Sequence, residues 1–409
     1  MNVAIVGGGI VGLASAYYLA ERGADVTVYE KGSLGSGSTE RSVGGIRAQF
    51  STPVNVELSL ASMAVWEAFA NEFGTDIAYR RPGYLFAARE EATARAFEEQ
   101  VAMQNDLGVP SELLAPEEAT DHCPGLRAEE FVAATYSPTD GFADPHLALQ
   151  GFAEAARESG AEIRTRTAVT EIHREGEAND AEVTGLTVKG SERRDADFVV
   201  NAAGPWARRV AAMAGVEIPV APERRQIAVV DPETPVPEDV PLTIDLDTGS
   251  HFRPEREGKA LVGGHFGGDS EERRSSESAS GKTATGEDPE ADPEQDPDGF
   301  DRKIDLDWAV EAVERASDCA TYFGPDSEIR RGWAGLYAVT PDHHPIVEET
   351  RPGLVNAVGF SGHGFQHAPA TGQLVAELVL DGEASLVDIS ALGSDRFERE
   401  TLLEERNVA

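Results

Sequence analysis

Gly7, Gly9 and Gly12 fall in the spacing GxGxxG, between the apolar run NVAIV (2–6) and a helical stretch over 10–22. A second apolar run, DVTVYE (25–30), completes a βαβ pattern. Glycines so placed allow a tight turn, close approach of the backbone to a pyrophosphate, and close packing of helix on strand. The helix N-terminus favours phosphate charge, which brings Ile10 and Val11 to the same ligand. Glu30 ends the second strand, placed to accept hydrogen bonds from adenosine ribose hydroxyls, with Lys31 beside it. The chemistry implied is dinucleotide binding, with NAD and FAD both open.

Three further stretches favour flavin. The loop STERSVGGIR carries Arg41, Ser42, Gly44 and Gly45 towards the ring. DFVVNAAGPWA is a late strand ending in small residues, with Ala202, Gly204 and Trp206. GFSGHGFQ supplies Gly362, His363, Gly364, Phe365 and Gln366, and Val169 and Gly335 are counted with these cofactor contacts. A nicotinamide enzyme has no need of three separated glycine-rich elements around one cofactor. His343 and His344 sit in a proline-flanked turn, TPDHHPI, without a carboxylate–histidine ligand spacing, so no metal site is expected. His363 and His367 are four apart, but Gly362 and Gly364 place the first in a turn. His251 and Arg253 share one side of a strand by alternation; the sequence does not say which side.

The elements that must position these residues follow from periodicity. A helix is expected around 53–73, a strand in RRPGYLFAARE, a helix over 90–107, and another from Pro145 to Gly160. QIAVVD, LTIDLD, HFRPE and ALVGGHF alternate as antiparallel strands. Residues 269–300 crowd acidic residues with Ser, Gly and Pro and are expected as a mobile surface insertion. A helix follows over 305–318, and a last one starts at about Pro369. The fold class expected is α/β: a Rossmann-like FAD-binding domain, discontinuous over 1–84, 141–220 and 330–409. An α+β substrate domain with an antiparallel sheet takes 85–140 and 221–329.

The chain has 409 residues, with 73 acidic against 35 basic side chains and a net charge of −38. That excludes a phosphate-backbone partner such as nucleic acid. Lysine is confined to Lys31, Lys189, Lys259, Lys282 and Lys303, and the composition resembles that of proteins from halophilic archaea. Multimolar salt screens such self-repulsion. No apolar run approaches the roughly 20 residues of a membrane span, and the glycine-spaced opening is read as mature fold rather than a signal peptide. Cys123 and Cys319 are the only cysteines and lack CxxC spacing, which disfavours a disulfide scaffold and fits a cytoplasmic location.

Taken together, IVGGGIVGLASAYYLAERG…VTVYE, RSVGGIRAQF, YSPTDGFADPH, VVNAAGPWA, RGWAGLYAVTPDHHPIV and GFSGHGFQHAPATGQLVAELV resemble the D-amino-acid-oxidase-type FAD oxidoreductases. That family contains sarcosine, glycine and dimethylglycine oxidases or dehydrogenases. The resemblance implies extended FAD and an amino-acid substrate above its ring. Hydride passes to the flavin from the carbon next to nitrogen, leaving an imine that water hydrolyses. Arg47 matches the arginine that binds the substrate carboxylate, a role suited to bidentate pairing. Gln366 stands where a sarcosine oxidase has a second carboxylate-binding lysine. No cysteine lies near Gly335, where that enzyme tethers its flavin, so FAD is expected to be noncovalent. Val262 falls where that oxidase has an oxygen-activating lysine, with Lys259 three residues away in a turn, which favours a dehydrogenase. Tyr337 follows WAGL where glycine oxidase has an arginine.

The function expected is therefore oxidation of the C–N bond of a small secondary or N-methyl amino acid. Arg47 is the carboxylate ligand, with His363, Tyr337 and His251 around the substrate. The electron acceptor, a carrier protein, quinone or oxygen, stays open. The alternatives are a 2-hydroxy-acid or D-amino-acid dehydrogenase of the same superfamily, and an assembly factor that keeps FAD without turnover.

Overall fold

In the computed structural model, which describes residues 1–176, 181–190, 192–266, 294–399 and 402–407, two large sheets stand on either side of the glycine-rich loops. The strand Asn2–Val6 is central to a six-stranded sheet, flanked by Asp25–Tyr29 and Phe198–Asn201. Glu162–Arg164 extends it on one side, Leu354–Val358 and Ile346–Arg351 on the other. Its pairs are parallel except the last hairpin. A three-stranded antiparallel meander covers Val169–Glu175, Glu182–Val188 and Glu192–Asp195.

The helix Ile10–Glu21 is buried on nearly every side, which is why its small residues show so little amphipathic contrast. It packs against the helices Pro145–Glu158 and Gly364–Leu380. A Cβ on Gly372 would stand 2.8 Å from the backbone carbonyl carbon of Ala14, so glycine sets how closely the first and last helices approach. Helix 145–158 starts where Asp144 accepts from the amides of His146 (2.9 Å) and Leu147 (3.2 Å), with proline in the first turn. Phe69 and Phe152 are fully buried beside Trp66, each contributing about 1.5–3 kcal/mol by burial. Trp66 stacks on Phe365 at 5.1 Å and donates from Nε1 to the carbonyl of Gln366 at 2.9 Å. The helix Pro53–Phe73 thereby fixes the turn that carries the last glycine cluster.

The second sheet has eight strands in the order Glu328–Val339, Ala221–Asp231, Ala260–Gly264, Ser250–Pro254, Leu242–Asp245, Tyr84–Ala88, Ala133–Ser137, Glu112–Leu114. It is antiparallel except between Leu242–Asp245 and Tyr84–Ala88, a parallel pair that alternation within each strand could not reveal. The helix Leu306–Cys319 covers one face. The mixed α/β architecture with helices on the sheets is the one expected. The boundary expected at 330 falls inside the strand Glu328–Val339.

The last helix begins at Gly364 rather than near Pro369, which lies inside it. Pro369 is the sixth residue of that helix, past its free first-turn amides, so it forgoes one main-chain bond, the one that would reach the Phe365 carbonyl. Most of the acidic stretch 269–300 lies outside the described residues. Its last seven residues return to the six-stranded sheet's side, where Arg208 pairs with Glu294 and Arg209 with Asp296 (2.7 Å) and Asp298 (2.8 Å). Among the described residues no helix is long and apolar enough to cross a membrane.

Candidate active site

One cavity of about 510 Å³ runs from the first glycine turn to Arg47 between the two sheets. At its first end Gly7 has φ +117°, and a Cβ there would lie 2.4 Å from the carbonyl oxygen of Ala202. A Cβ on Gly12 would lie 2.1 Å from the carbonyl oxygen of Gly7, so Gly12 shapes the turn from behind and does not line the cavity. Glu30 faces the cavity and accepts from the amides of Gly8 (2.8 Å) and Gly32 (2.6 Å), which fixes its carboxylate. Gly9, Ile10, Val11, Val169, Ala202, Gly204 and Trp206 also line this end. Lys31 lies 3.6 Å over the Trp206 ring and pairs with Asp298 at 2.5 Å.

The middle of the cavity is built by cross-links between the 36–46 loop and the strand Glu328–Val339. Arg41 donates to the carbonyls of Ser36 (2.9 Å) and Gly37 (2.8 Å). Trp333 Nε1 donates to the Arg41 carbonyl at 3.0 Å, and Ser38 Oγ to the Leu336 carbonyl at 2.6 Å. Ser42, Gly45 and Gly335 line this part; Gly44 does not. Gly44 has φ +75°, and its Cβ would meet the Ala143 carbonyl oxygen at 1.9 Å, so it serves close backbone packing behind the wall.

At the far end Arg47, His363, Tyr337 and His251 come together, as do Gly362, Gly364, Phe365 and Gln366, around apolar Ile227, Leu242 and Ile244. The Arg47 side chain is 5 % exposed and rests 3.9 Å from the Phe50 ring. Its guanidinium donates to the main-chain carbonyls of Gln49 and Asn407, and Nη2 lies 3.2 Å from His363 Nε2. Among the described residues it has no carboxylate within ion-pair distance. Burial lowers its pKa, opposed chiefly by Glu405, yet a guanidinium stays protonated throughout the working range. An unpaired buried cation is costly, and an anion arriving in the cavity relieves that cost.

The imidazoles here are neutral. Burial brings His251 down to about 4, and burial followed by the Arg47 charge pushes His363 well below its usual value. Burial likewise pushes Tyr337 up, keeping its phenol protonated. His251 Nδ1 and Gln366 Nε2 are buried polar atoms with no partner, both in residues of the cavity wall. Orphaned donors and acceptors of this kind call for a polar ligand. They fit a flavin with a small polar substrate beside it, as do the glycines that line the cavity. No group of three or more His, Cys, Asp or Glu side chains among the described residues could hold a metal.

Some residues around the cavity are not among those the sequence singles out. Tyr84 lines the cavity, and its hydroxyl stands 2.1 Å from where a Gly45 Cβ would be. Asp140, fully buried, accepts from the Ala48 amide (2.9 Å) and Gln49 Nε2 (3.2 Å), and burial raises it to about 6. Its place in YSPTDG is the one sequence signal that could have found it. Arg253 packs over Phe142 at 4.6 Å and does not line the cavity, although His251 does. Val262 is wholly buried in the apolar cluster behind the sheet, so it does not face the cavity, and Lys259 pairs with Glu257 in a turn. Among the described residues Lys31 is the one lysine on the cavity wall, at the opposite end from Arg47.

Comparisons with known proteins agree with this geometry. Residues 2–378 match the family described as DAO, FAD dependent oxidoreductase. FAD-dependent oxidoreductase domain-containing protein 1 of Xenopus laevis is 31% identical over 452 residues, covering 100% of this chain and 84% of its own. Glycine oxidase of Geobacillus kaustophilus is 31% identical over 92% of each chain. The structure of L-proline dehydrogenase from P. horikoshii superposes with a TM-score of 0.83 at 32% identity, covering 98% of both chains.

Proposed function

The chain belongs to the DAO family of FAD-dependent oxidoreductases, and from that premise we propose that it oxidises a small secondary or N-methyl amino acid. FAD is its cofactor, and when bound it supplies the two-electron acceptor. The observation that carries the substrate class is the buried Arg47 guanidinium, without a carboxylate partner among the described residues, at the far end of the cavity. Arg47 binds the substrate carboxylate through its planar fork. Ile227, Leu242 and Ile244 exclude water from the carbon that loses hydride. His251, His363 and Tyr337 are all uncharged, so none of them holds the substrate nitrogen as an ammonium, and the amine would enter in its neutral form, its proton left to bulk solvent before binding. The names of two relatives, glycine oxidase and L-proline dehydrogenase, agree with an amino-acid substrate.

Residues 1–84, 141–220 and 330–409 are assigned to the cofactor, and 85–140 and 221–329 to the substrate, with the strand Glu328–Val339 shared. Around FAD we place Gly7, Gly9, Ile10, Val11, Glu30 and Lys31 at the nucleotide, with Gly12 shaping their turn from behind. Arg41, Ser42, Gly45, Gly335 and Gly362–Gln366 go to the ring, with Gly44 supporting that loop from behind the wall, and Val169, Ala202, Gly204 and Trp206 along its length. Cys123 and Cys319 are buried away from the cavity wall, which supports noncovalent flavin. The lack of a lysine at the substrate end, among the described residues, supports a dehydrogenase over an oxidase. A 2-hydroxy acid is disfavoured because its hydroxyl proton needs a base, and an imidazole near 4 is a weak one. A cytoplasmic location goes with this reading.

Anaerobic bleaching of the flavin in molar KCl tests it, with sarcosine, L-proline, D-amino acids and 2-hydroxy acids as the panel. Secondary amino acids are expected to bleach fastest, and Arg47→Ala to lower their kcat/KM by about 10²–10³, as loss of a buried charge-assisted pair costs roughly 3–4 kcal/mol. Bleaching by 2-hydroxy acids alone would replace the substrate class. No bleaching by any of them, with a stable protein partner on pull-down, would make the chain an assembly factor.

A further inference from the structure

The sequence ends its recognisable motifs with the helix Gly364–Leu380, yet the segment 402–407 returns to the substrate end of the cavity. Glu405 is 0 % exposed and unusually well partnered. One carboxylate oxygen accepts from the amide of Ser51 (2.8 Å), Ser51 Oγ (2.7 Å) and the amide of Asn407 (3.1 Å). The other accepts from Thr52 Oγ1 (2.8 Å) and Asn55 Nδ2 (3.1 Å). Its own amide donates to the carbonyl of Asp342 at 3.1 Å, and Asp342 is held by a buried ion pair with Arg396 at 2.6 Å. Thr52 Oγ1 also lies 3.0 Å from His344 Nε2. The TPDHHP turn is thus the socket for this segment.

Two residues beyond Glu405, the carbonyl of Asn407 accepts from the Arg47 guanidinium. Of the two main-chain carbonyls that hold that guanidinium, the Gln49 one belongs to its own loop and the Asn407 one comes from a distant part of the chain. We propose that Glu405 is a positioning residue for the substrate anion. By clamping the 402–407 segment to Ser51, Thr52 and Asn55, it presses the Asn407 carbonyl onto Arg47 and fixes the fork that the carboxylate meets. A guanidinium freed on that side keeps its charge but loses its aim, and geometric misplacement of a binding group weakens the ligand without removing the attraction. The inference rests on the carboxylate role given to Arg47 above.

The test uses the FAD-loaded full chain in molar KCl and methoxyacetate, an ether isostere of sarcosine that cannot form an imine. Binding is read from the flavin difference spectrum. Arg47→Ala is expected to abolish the response, Glu405→Ala to weaken it at least tenfold, and Glu405→Gln, which loses the charge and one acceptor geometry, about threefold or more. Leu403→Ala, in the same segment and exposed, is expected to match the wild type. With a turned-over amino acid, Glu405→Gln is expected to raise KM while kcat stays within about twofold. A response lost in Arg47→Ala but unchanged in the Glu405 variants overturns the positioning role and leaves the carboxylate reading standing. Where Glu405→Ala does not retain flavin, Glu405→Gln within twofold of wild type is the overturning result. A wild-type or Arg47→Ala flavin that behaves alike with the probe sinks both readings.

Discussion

His251 sits on the cavity wall with one ring nitrogen unpartnered, and burial has moved its protonation to about 4 from 6.5. A base depressed in the folded state contributes stability that is present above 6.5 and lost as pH falls through 4, because the unfolded chain takes up the proton first. His251→Asn removes that uptake. Its urea stability is expected to fall less steeply than that of the wild type between pH 6.5 and 4.5, by about 2 kcal/mol across the window. Parallel curves would show that the ring is solvated and already charged. At this scale the sequence was informative where chemistry and backbone coincide. Arg47 beside Gly45, and His363 between Gly362 and Gly364, advertise themselves because glycine marks close approach. Tyr84 and Glu405 do not. A tyrosine inside an apolar strand looks like core, and a glutamate in a polar tail looks like solvent. Their surroundings come from the pairing of Tyr84–Ala88 with Leu242–Asp245 and from a chain return of some 350 residues between Ser51 and Glu405.

Gly44 shows how an element depends on an atom that is not there. With φ +75° and the Ala143 carbonyl 1.9 Å from a would-be Cβ, alanine cannot be accommodated without separating the 42–47 loop from the strand Gly141–Phe142. Gly44→Ala is expected to cost about 2–4 kcal/mol through combined strain and displacement. It is also expected to purify with less than half the wild-type ratio of flavin to protein absorbance. A melt and a flavin content equal to wild type would show that the loop yields freely. Elements with strict periods were legible, including the opening βαβ unit and the helices near 53–73 and 305–318. Those settled by distant partners were not. The last helix starts at Gly364 because Trp66 and Phe365 stack there, a contact that no local pattern contains. The parallel pair in the second sheet is a matter of strand order, to which alternation along each strand is blind.

Across the whole molecule 73 carboxylates face 35 cationic side chains, and the excess works against compaction at low ionic strength. In 1 M salt the screening length shrinks to about 3 Å, which leaves contact pairs in place and removes most of the long-range repulsion. The melting temperature is expected to rise by at least about 10 °C between dilute buffer and 2 M KCl, by scanning calorimetry, as several kcal/mol of repulsion are relieved. An unchanged melting temperature would refute this. Salt that spares the fold would normally weaken a site that captures a phosphorylated ligand with lysines and arginines. Here Lys31 and Arg209, the cations at that mouth of the cavity, are already matched by Asp298 and Asp296. What remains for the pyrophosphate is the main-chain amides beside Ile10 at the start of the first helix, the Ile10 amide itself being given to Thr39 Oγ1 at 3.2 Å, and their pull comes from fixed dipoles at contact distance. Ions in solution cannot dilute a dipole they cannot reach, so the cofactor's residence should be as long in brine as in dilute buffer.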